Sequence, residues 1–557
     1  MARSARLSID FKWVPDSQSP VCFACAASFT LFRRKHHCRF CGRVFCDPCS
    51  NKRMSLDPNA PDIDLQRCCA SCQQRVINTE SGVKRSADTG RATERVIYST
   101  KTLCVSCSLI ERRGFDPVDA AVIERDGCVY LERRCPTHGV KSIVYCRDAS
   151  FFSNAMGFAS KQPRLDADID DFVRAHKEHR PIIMQLQLYS EKRFMSIPSI
   201  DASLHKFNAL YSGDFSYMIN VQGGSLPSLS HVVQFNSLVH HILNVSRQCL
   251  LLVELPYDRL RDLATVDQSC FLKGRVFPVV HYHLVESEQH MAINDLTALM
   301  SAAKQIADLP VILKLTFDRE HPDLKPIIFF AVSNRLMFKY IFLSPVRSSK
   351  RLLALESKLD KGPNTESSVD PVGLIDHICH HIGARRMDFF PISIIRVLEP
   401  LFSILGCPRY PLNISPYSAF VCPIIYHSDG SSAPLSRLIN IPEMLCNFIP
   451  LIDKMNQSGS GDYDHKAIVQ CLQLCTPNPP INNILSPIPD LISALSTNDV
   501  ASRYRLQQFF NSLQFIIVYN DMDVGSVDLR RRAQCAVAVQ SRYVHTPFAA
   551  ACSGGCF

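Results

Sequence analysis

The chain has 557 residues, 46% hydrophobic and 20% charged, with a formal net charge of +9. These proportions exclude a disordered or fibrous polypeptide and leave room for two to four domains. No run of about 18 uninterrupted apolar residues occurs, so no spanning helix is expected; the nearest, Pro326 to Val346, is broken by Asn334, Arg335 and Lys339 and reads as buried strands. Met1 to Asp10 is polar and leads into no apolar stretch, so no signal peptide is expected either. The 25 cysteines, in a chain read as intracellular, argue for metals and buried thiols over disulfides.

Between residues 22 and 72 stand four C-x2-C pairs: Cys22/Cys25, Cys38/Cys41, Cys46/Cys49 and Cys69/Cys72. Two residues between thiolates is the spacing at which a tight turn aims both sulfurs at one zinc ion. Eight ligands make two closed tetrahedral sites, which build structure and leave no open position for catalysis. The run Arg34-Lys35-His36-His37-Cys38-Arg39 enters the second pair directly. Residues 1–78 hold 12 Lys+Arg against 6 Asp+Glu, so most of the chain's positive charge sits in this module. Such a cationic, imidazole-bearing strip suits a phosphate-bearing partner. Nucleic acid fits worse, because no C2H2 spacing follows and few aromatics interleave with the basic residues. Phe29-Thr-Leu-Phe32 is an apolar run with no obvious local core to bury it.

Trp13-Val-Pro-Asp16, the basic strip, and Arg67-Cys-Cys69, in that order, resemble the three signature elements of a FYVE finger, over residues 8–78. The resemblance implies a small zinc-stabilised α+β fold that reads phosphatidylinositol 3-phosphate on endosomal membranes. It implies a cross-brace, with Cys22, Cys25, Cys46 and Cys49 on one zinc and Cys38, Cys41, Cys69 and Cys72 on the other. It also implies headgroup contacts from Asp16, Arg34, Lys35, His36, His37, Arg39 and Arg67, and insertion of Leu31 and Phe32 into the membrane. Cys68 departs from the family's usual Val; Cys69 is taken as the ligand because Cys69-x2-Cys72 keeps the spacing, and a small thiol replaces a small apolar side chain. Fully burying Leu31 and Phe32 in lipid would contribute roughly 3–6 kcal/mol; the alternative is that they pack within the finger. Because histidine titrates near physiological pH, tighter lipid binding is expected at about pH 6 than at about pH 8.

Residues 79–95 are charged and low in apolar side chains, and read as a linker without a heptad pattern. Over residues 96–150, Cys104-x2-Cys107 and Cys135-Pro-Thr-His138 flank a hairpin predicted over Ala120–Leu131, turning at Asp126-Gly127. Two knuckles around a hairpin are the layout of a zinc ribbon, with Cys104, Cys107, Cys135 and His138 as a third structural set. The alternative is reduced thiols packed apolarly, with Cys128 and Cys146 unpaired.

The ribbon, Gly223-Gly-Ser-Leu-Pro227 after an expected strand Tyr217–Val221, Asp388-Phe-Phe-Pro391 and Pro434-Leu-Ser-Arg-Leu-Ile-Asn440 resemble a radical S-adenosylmethionine family that includes the tetraether-lipid synthases. The resemblance implies an incomplete α/β barrel over residues 170–350 and an α/β extension over 371–557. That chemistry needs three thiolates at C-x3-C-x2-C to hold a cluster, and the triplet does not occur in this sequence. Ser225 stands where the family places a glutamate. The body is therefore expected to be catalytically degenerate, with zinc but neither S-adenosylmethionine nor an iron–sulfur cluster. No G-x4-G-K-[ST], H-E-x-x-H or G-x-S-x-G is present. His377, Cys379, His380 and His381 form a cluster, with His377 and His381 on one helical face; ordinary partly buried imidazoles are the simpler reading. The expected loops are Leu352–Pro371, Ser458–Tyr463 and Thr476–Pro489.

The multidomain chain is thus expected to be an adaptor, cytoplasmic and peripheral on endosomal membranes. It would bind phosphatidylinositol 3-phosphate and a protein partner, with no nucleic acid and no transmembrane segment. The alternative is a membrane-recruited enzyme with a rearranged active site in the barrel.

Overall fold

The computed structural model describes residues 16, 19, 22, 28–30, 33–38, 44–55, 65–69, 94–111, 117–157, 183–190, 192–211, 218–222, 226, 228–246, 249–256, 276–284, 297, 301, 311–317, 324–345, 370–394, 415–426, 431–439, 444, 447–448, 467, 470, 504, 508–509, 511–520, 522, 525–532 and 537–539. The chain forms two compact units, Met1–Arg91 and Ala92–Phe557.

In the first unit, β1 (His36–His37) pairs antiparallel with β2 (Val44–Phe45), setting His36 opposite Phe45. A single turn of helix, α1 (Asp47–Ser50), follows with Pro48 in its first turn. Then β3 (Lys52–Ser55) pairs antiparallel with β4 (Leu65–Cys68). The buried cluster here is Cys22, Cys38, Phe45, Cys46, Cys68 and Cys69. Five of these six are thiols, so among the described residues of this unit apolar packing, from Phe45, Val44 and Phe29, is slight.

The second unit opens with a four-stranded antiparallel sheet in chain order: β5 (Arg95–Leu103), β6 (Pro117–Arg125), β7 (Cys128–Cys135) and β8 (Gly139–Cys146). The turn expected at Asp126-Gly127 is present, with φ of 53° and 75°. Two consecutive left-handed residues are what a tight hairpin with native twist requires. Because β5 begins at Arg95, the linker expected through that residue ends before it; residues 79–93 lie outside the described residues. Helix α2 (Ala149–Gly157) leads out of the sheet.

The main sheet follows. β9 (Ile183–Gln187) precedes a short hairpin of β10 (Tyr189–Ser190) and β11 (Arg193–Phe194). Then come α3 (Ile197–Tyr211), β12 (Met218–Gln222), α4 (Leu229–Val245), β13 (Leu250–Pro256), β14 (Val276–Leu284), β15 (Ile312–Phe317), α5 (Lys325–Ser333) and β16 (Tyr340–Pro345). β9, β12, β13, β14, β15 and β16 lie side by side in chain order, all parallel. Described strands within residues 371–557 extend the same sheet. After α6 (Pro371–Ile382), β17 (Phe390–Pro391), β18 (Ala419–Tyr426) and β19 (Ser432–Pro434) form an antiparallel flank. β20 (Leu513–Tyr519) joins this flank to β16, and after α7 (Leu529–Arg532), β21 (Val537–Val539) pairs with β9 at the opposite edge. Among the described residues the two edges do not pair with each other, so the sheet is open.

The run Pro326 to Val346, expected as strands, is helix over Lys325–Ser333 and strand only over Tyr340–Pro345. Pro326 pre-sets the helical φ in the first turn. Ile327, Ile328 and Ala331 then form one buried face while Phe329 is 73% exposed, a helical period rather than an alternation. Similarly, Pro371 opens α6, with Asp370 as the N-cap accepting from the Val372 N–H; residues 352–369 and the two later loops lie outside the described residues.

One face of the main sheet is continuously apolar: Leu186, Ile219, Val221, Leu251, Val253, Val280, Leu313, Leu315, Ile341, Leu343, Ile516 and Val518 are all buried there. They share one cluster with helix residues such as Leu204, Phe235, Ile242 and Ile328, and with Val122, Val129, Leu131 and Ile143 of the four-stranded sheet. The C-terminal segment is tied to that smaller sheet through Asp528, fully buried, which accepts from Tyr98 Oη at 2.7 Å, Thr100 Oγ1 at 2.7 Å and Tyr145 Oη at 3.2 Å.

Candidate metal centres and the basic strip

Cys104, Cys107, Cys135 and His138 converge at the ends of β5 and β7, with all four ligand atoms within 4.8 Å of one another. The His138 Nδ1 atom stands 3.5, 3.4 and 3.5 Å from the sulfurs of Cys104, Cys107 and Cys135, and Cys107 Sγ is 3.7 Å from Cys135 Sγ. A tetrahedron with zinc–sulfur bonds of about 2.3 Å and a zinc–nitrogen bond of about 2.05 Å has edges of about 3.8 and 3.6 Å. The residues therefore fit zinc in size as well as in type. His138 Nε2 lies 3.3 Å from Glu111 Oε1, the outer carboxylate that fixes a ligating imidazole's tautomer. Burial and the crowding of neighbouring sulfurs push the Cys107 thiol up to about 12. A divalent ion is what makes such a set of thiolates stable. Cys128 and Cys146 stand apart from the set, donating to the carbonyls of Arg147 and Asp148.

In the first unit, Cys22, Cys46 and Cys49 form a second convergent group. It joins members of the first and third pairs, the partition that the cross-brace implies. The Cys46 N–H donates to Cys22 Sγ at 3.2 Å, and the Cys69 N–H donates to Cys38 Sγ at 3.3 Å, which joins one member of the second pair to one of the fourth. Cys68 is fully buried and turns its thiol to the Cys69 carbonyl. Cys25, Cys41 and Cys72 lie outside the described residues, as do Leu31, Phe32 and Arg39.

Two carboxylates organise the basic strip. Arg67, reaching from β4, donates to Asp47 Oδ1 at 2.7 Å and to the Ser50 carbonyl at 3.2 Å, and His36 Nε2 is 3.9 Å from the same Asp47 oxygen. Lys35 donates to the Asp16 carbonyl, and His37 Nε2 is 3.7 Å from Asp16 Oδ1. Lys35 Nζ also lies 5.6 Å from the Phe29 ring centroid. Arg34 is exposed beside these residues. Hydrogen bonding from Arg67 holds Asp47 below the usual carboxylate range. Burial, then the Arg67 charge, hold His36 below its ordinary value, with Asp47 opposing them. In the ligand-free finger this works against charging of His36, so a phosphate would have to supply the difference.

The histidine cluster lies on α6. His377 and His381 approach at 3.4 Å between Nε2 atoms, while Cys379 is buried on another face with its thiol pushed up to about 12, chiefly by burial. These side chains do not gather into a metal-sized group among the described residues.

Sequence reasoning missed a charged cluster on the second face of the main sheet. Glu254 of β13 is 5% exposed and accepts from Lys314 Nζ at 3.0 Å, Asn220 Nδ2 at 3.0 Å and Gln222 Nε2 at 3.1 Å. His281 Nδ1 stands 3.2 Å from Glu254 Oε1, and its Nε2 is 2.7 Å from Thr316 Oγ1. Burial acts to raise the Glu254 pKa, but Lys314 and His281 outweigh it and hold the carboxyl well below its usual range. The available signal was a lone charge inside each apolar strand run: Glu254 in Leu250–Pro256 and Lys314 in Ile312–Phe317.

Residues 12–78 match the FYVE zinc finger family model, and residues 96–147 match that of the HMPTM N-terminal zinc ribbon domain. The chain thus carries a FYVE zinc finger followed by a zinc ribbon, both zinc-binding modules. It is 42% identical over 77 residues to Protein FREE1 of Arabidopsis thaliana, covering 13% of each chain. It is 55% identical over 127 residues to the 1-phosphatidylinositol-3-phosphate 5-kinase FAB1A of the same plant, covering 21% of this chain and 7% of the kinase. It is 48% identical over 70 residues to a Lateral signaling target protein 2 homolog of Brugia malayi, covering 13% and 11%. Among solved structures, the LM5-1 FYVE domain from Leishmania major matches at 30% identity and a TM-score of 0.11, over 14% of this chain and 83% of that one. The chain spans less than a seventh of the length of these curated relatives. No comparison supports the radical S-adenosylmethionine resemblance expected for the body. No described helix is long and apolar enough to cross a membrane.

Proposed function

We propose that this protein reads phosphatidylinositol 3-phosphate with its FYVE finger, is held by it on endosomal membranes, and acts there as an adaptor whose body binds a protein partner. The observation that carries this reading is the convergence of Lys35, His36, His37 and Arg67 around Asp16 and Asp47 on one zinc-built hairpin module. Arginine grips a monoester phosphate bidentately, lysine adds a point charge, and the imidazoles and Asp16 are suited to the inositol hydroxyls. The name of one relative, a phosphatidylinositol-3-phosphate 5-kinase, is in keeping with it.

Liposome co-sedimentation across phosphoinositide isomers tests the reading. Arg39→Ala is expected to abolish isomer selectivity. Leu31→Ala/Phe32→Ala is expected to weaken membrane retention while leaving soluble headgroup binding intact. Equal capture by vesicles with and without the 3-phosphate would overturn the proposal. The Asp47 carboxylate occupies Arg67 in the ligand-free state and repels an incoming phosphate. Asp47→Asn is therefore expected to tighten headgroup binding by up to about fivefold, the scale of an exposed ion pair, as measured by calorimetry with the soluble headgroup.

For the body, six parallel strands in chain order are compatible with an incomplete, catalytically degenerate barrel, and the missing cysteine triplet favours a non-catalytic role. A second reading, an enzyme delivered to the membrane by its finger, is favoured by the Glu254–Lys314–His281 cluster. Anaerobic purification separates the two: zinc at about three per chain, the ligand count of three closed sites, supports the adaptor, whereas a brown, iron-containing protein supports the enzyme.

A further inference from the structure

The ribbon set gathers four donors around one point, and helix α6 offers a smaller set of another kind. His377 and His381 stand one turn apart, and residues four apart on a helix share a face. Their Nε2 atoms approach to 3.4 Å, with ring centroids 4.7 Å apart and ring planes at 84°.

Two explanations compete for that spacing. A hydrogen bond donated by an N–H group is commonest at about 2.9–3.0 Å between heavy atoms. Two nitrogens bound to one tetrahedral zinc ion at about 2.05 Å stand about 3.35 Å apart. The observed distance matches the second figure. Neutral imidazole nitrogen is also the commonest protein donor to such metals.

The pair is reached from solvent. His377 and His381 are half-buried, and His380 beside them is exposed. Helical side chains lean toward the N-terminus, so the pair leans over the turn that begins at Gly373. A Cβ added at Gly373 would meet nothing within 4 Å. The helix surface ahead of His377 is therefore open, and an ion there has room for water in its remaining positions.

The position also suits a cation. His381 lies in the last turn of α6, where the helix dipole places partial negative charge. Arg386, in the turn that follows, is engaged by Asp376 and Asp148, so two carboxylates match its charge. Cys379 is buried on another face and takes no part.

We propose that His377 and His381 form a binding site for a divalent transition-metal ion of the zinc type, held by two imidazoles with its remaining positions open to water. With two protein ligands the ion exchanges, so it is not counted with the zinc that closed sites retain through purification. When bound it ties residues one turn apart and braces the end of α6, because metal binding free energy adds to folding free energy. The site is separate from the finger and does not depend on lipid recognition.

The test uses the full-length chain with its closed sites loaded and free zinc removed, titrated with zinc chloride alone by calorimetry. One further equivalent should bind. His377→Gln and His381→Gln should each weaken it by at least the roughly tenfold that loss of even an outer-shell partner costs. His380→Gln removes the exposed neighbouring imidazole and should leave the affinity unchanged. Hydrogen exchange needs no substitution in its first arm: added zinc should slow the Ile378–Ile382 amides of the native chain. In His381→Gln the same amides should not respond. Absence of a further equivalent, an equal loss from all three substitutions, or zinc-slowed exchange that survives His381→Gln would each overturn the proposal.

Discussion

Stripping zinc from the full chain with a strong chelator is expected to unfold the finger completely while leaving the four-stranded ribbon sheet folded. Metal binding contributes roughly 10–16 kcal/mol in small zinc modules near neutral pH, more than most domains' whole margin of stability. Among the described residues of the finger little replaces it, since the buried cluster is five cysteines and Phe45, with Phe29 packed against it and Val44 also buried. The ribbon differs. Its Val122, Val129, Leu131 and Ile143 belong to the large core that also holds Leu186 and Phe235, and Asp528 ties Tyr98 and Thr100 to the C-terminal segment. Metal loss there should free only the knuckles around Cys104–Cys107 and Cys135–His138. Hydrogen exchange would report it: amides of His36–Cys69 should lose protection, those of Val122–Val129 should keep it, and Leu103–Ile110 should quicken. Simultaneous loss over both modules would refute the difference in their supports. Lipid capture by the finger should vanish in the same treatment.

Lys314→Met should be among the most destabilising single changes in the body. It leaves Glu254 ionised, buried and short of its closest cation, and breaking such a pair by removing one partner typically costs about 3–5 kcal/mol. The double variant Glu254→Gln/Lys314→Met removes both charges and should recover most of that loss, because apolar or neutral replacement of a buried pair is often close to neutral. Chemical denaturation of the wild type, both single variants and the double variant measures the coupling; additive losses would show that the pair is not acting as a unit. The pH dependence follows from the direction of the Glu254 shift. Its folded-state pKa lies below the unfolded value, so its stabilisation is fully present above the ordinary carboxylate range and is lost as pH falls below it through the depressed value. The gap between wild type and Lys314→Met should hold from pH 7 to about pH 5 and narrow only in stronger acid. A gap unchanged at about pH 2 would remove Glu254 from the account.

The metal modules and the main sheet differ in how far a sequence reveals them. The zinc sets are local in spacing: each knuckle declares itself within four residues, and the turn at Asp126-Gly127 follows from two residues with left-handed φ. The basic strip is equally local, because six consecutive residues carry it. Hidden from the sequence were Asp47 as partner of Arg67 and His36, and the polar network that joins residues from β12, β13, β14 and β15. Nor could apolar content separate strand from helix over Pro326 to Val346, where the period of burial, visible only in the folded chain, decides for helix.

What the amino-acid order indicated unaided was which residues are suited to hold metal and where positive charge gathers, since coordination and Coulomb attraction depend on residue type at short separation. Only the folded chain decided that β20 and β21, both from the C-terminal part, flank strands laid down some 175 to 355 residues earlier in the chain. Only it placed Gln185, Asn220, Glu254, His281 and Lys314 on one face. The reason is physical: strand pairing is paid for by backbone hydrogen bonds that every sequence can make, so the neighbours of a strand are chosen by burial of its faces, a property of the assembled sheet.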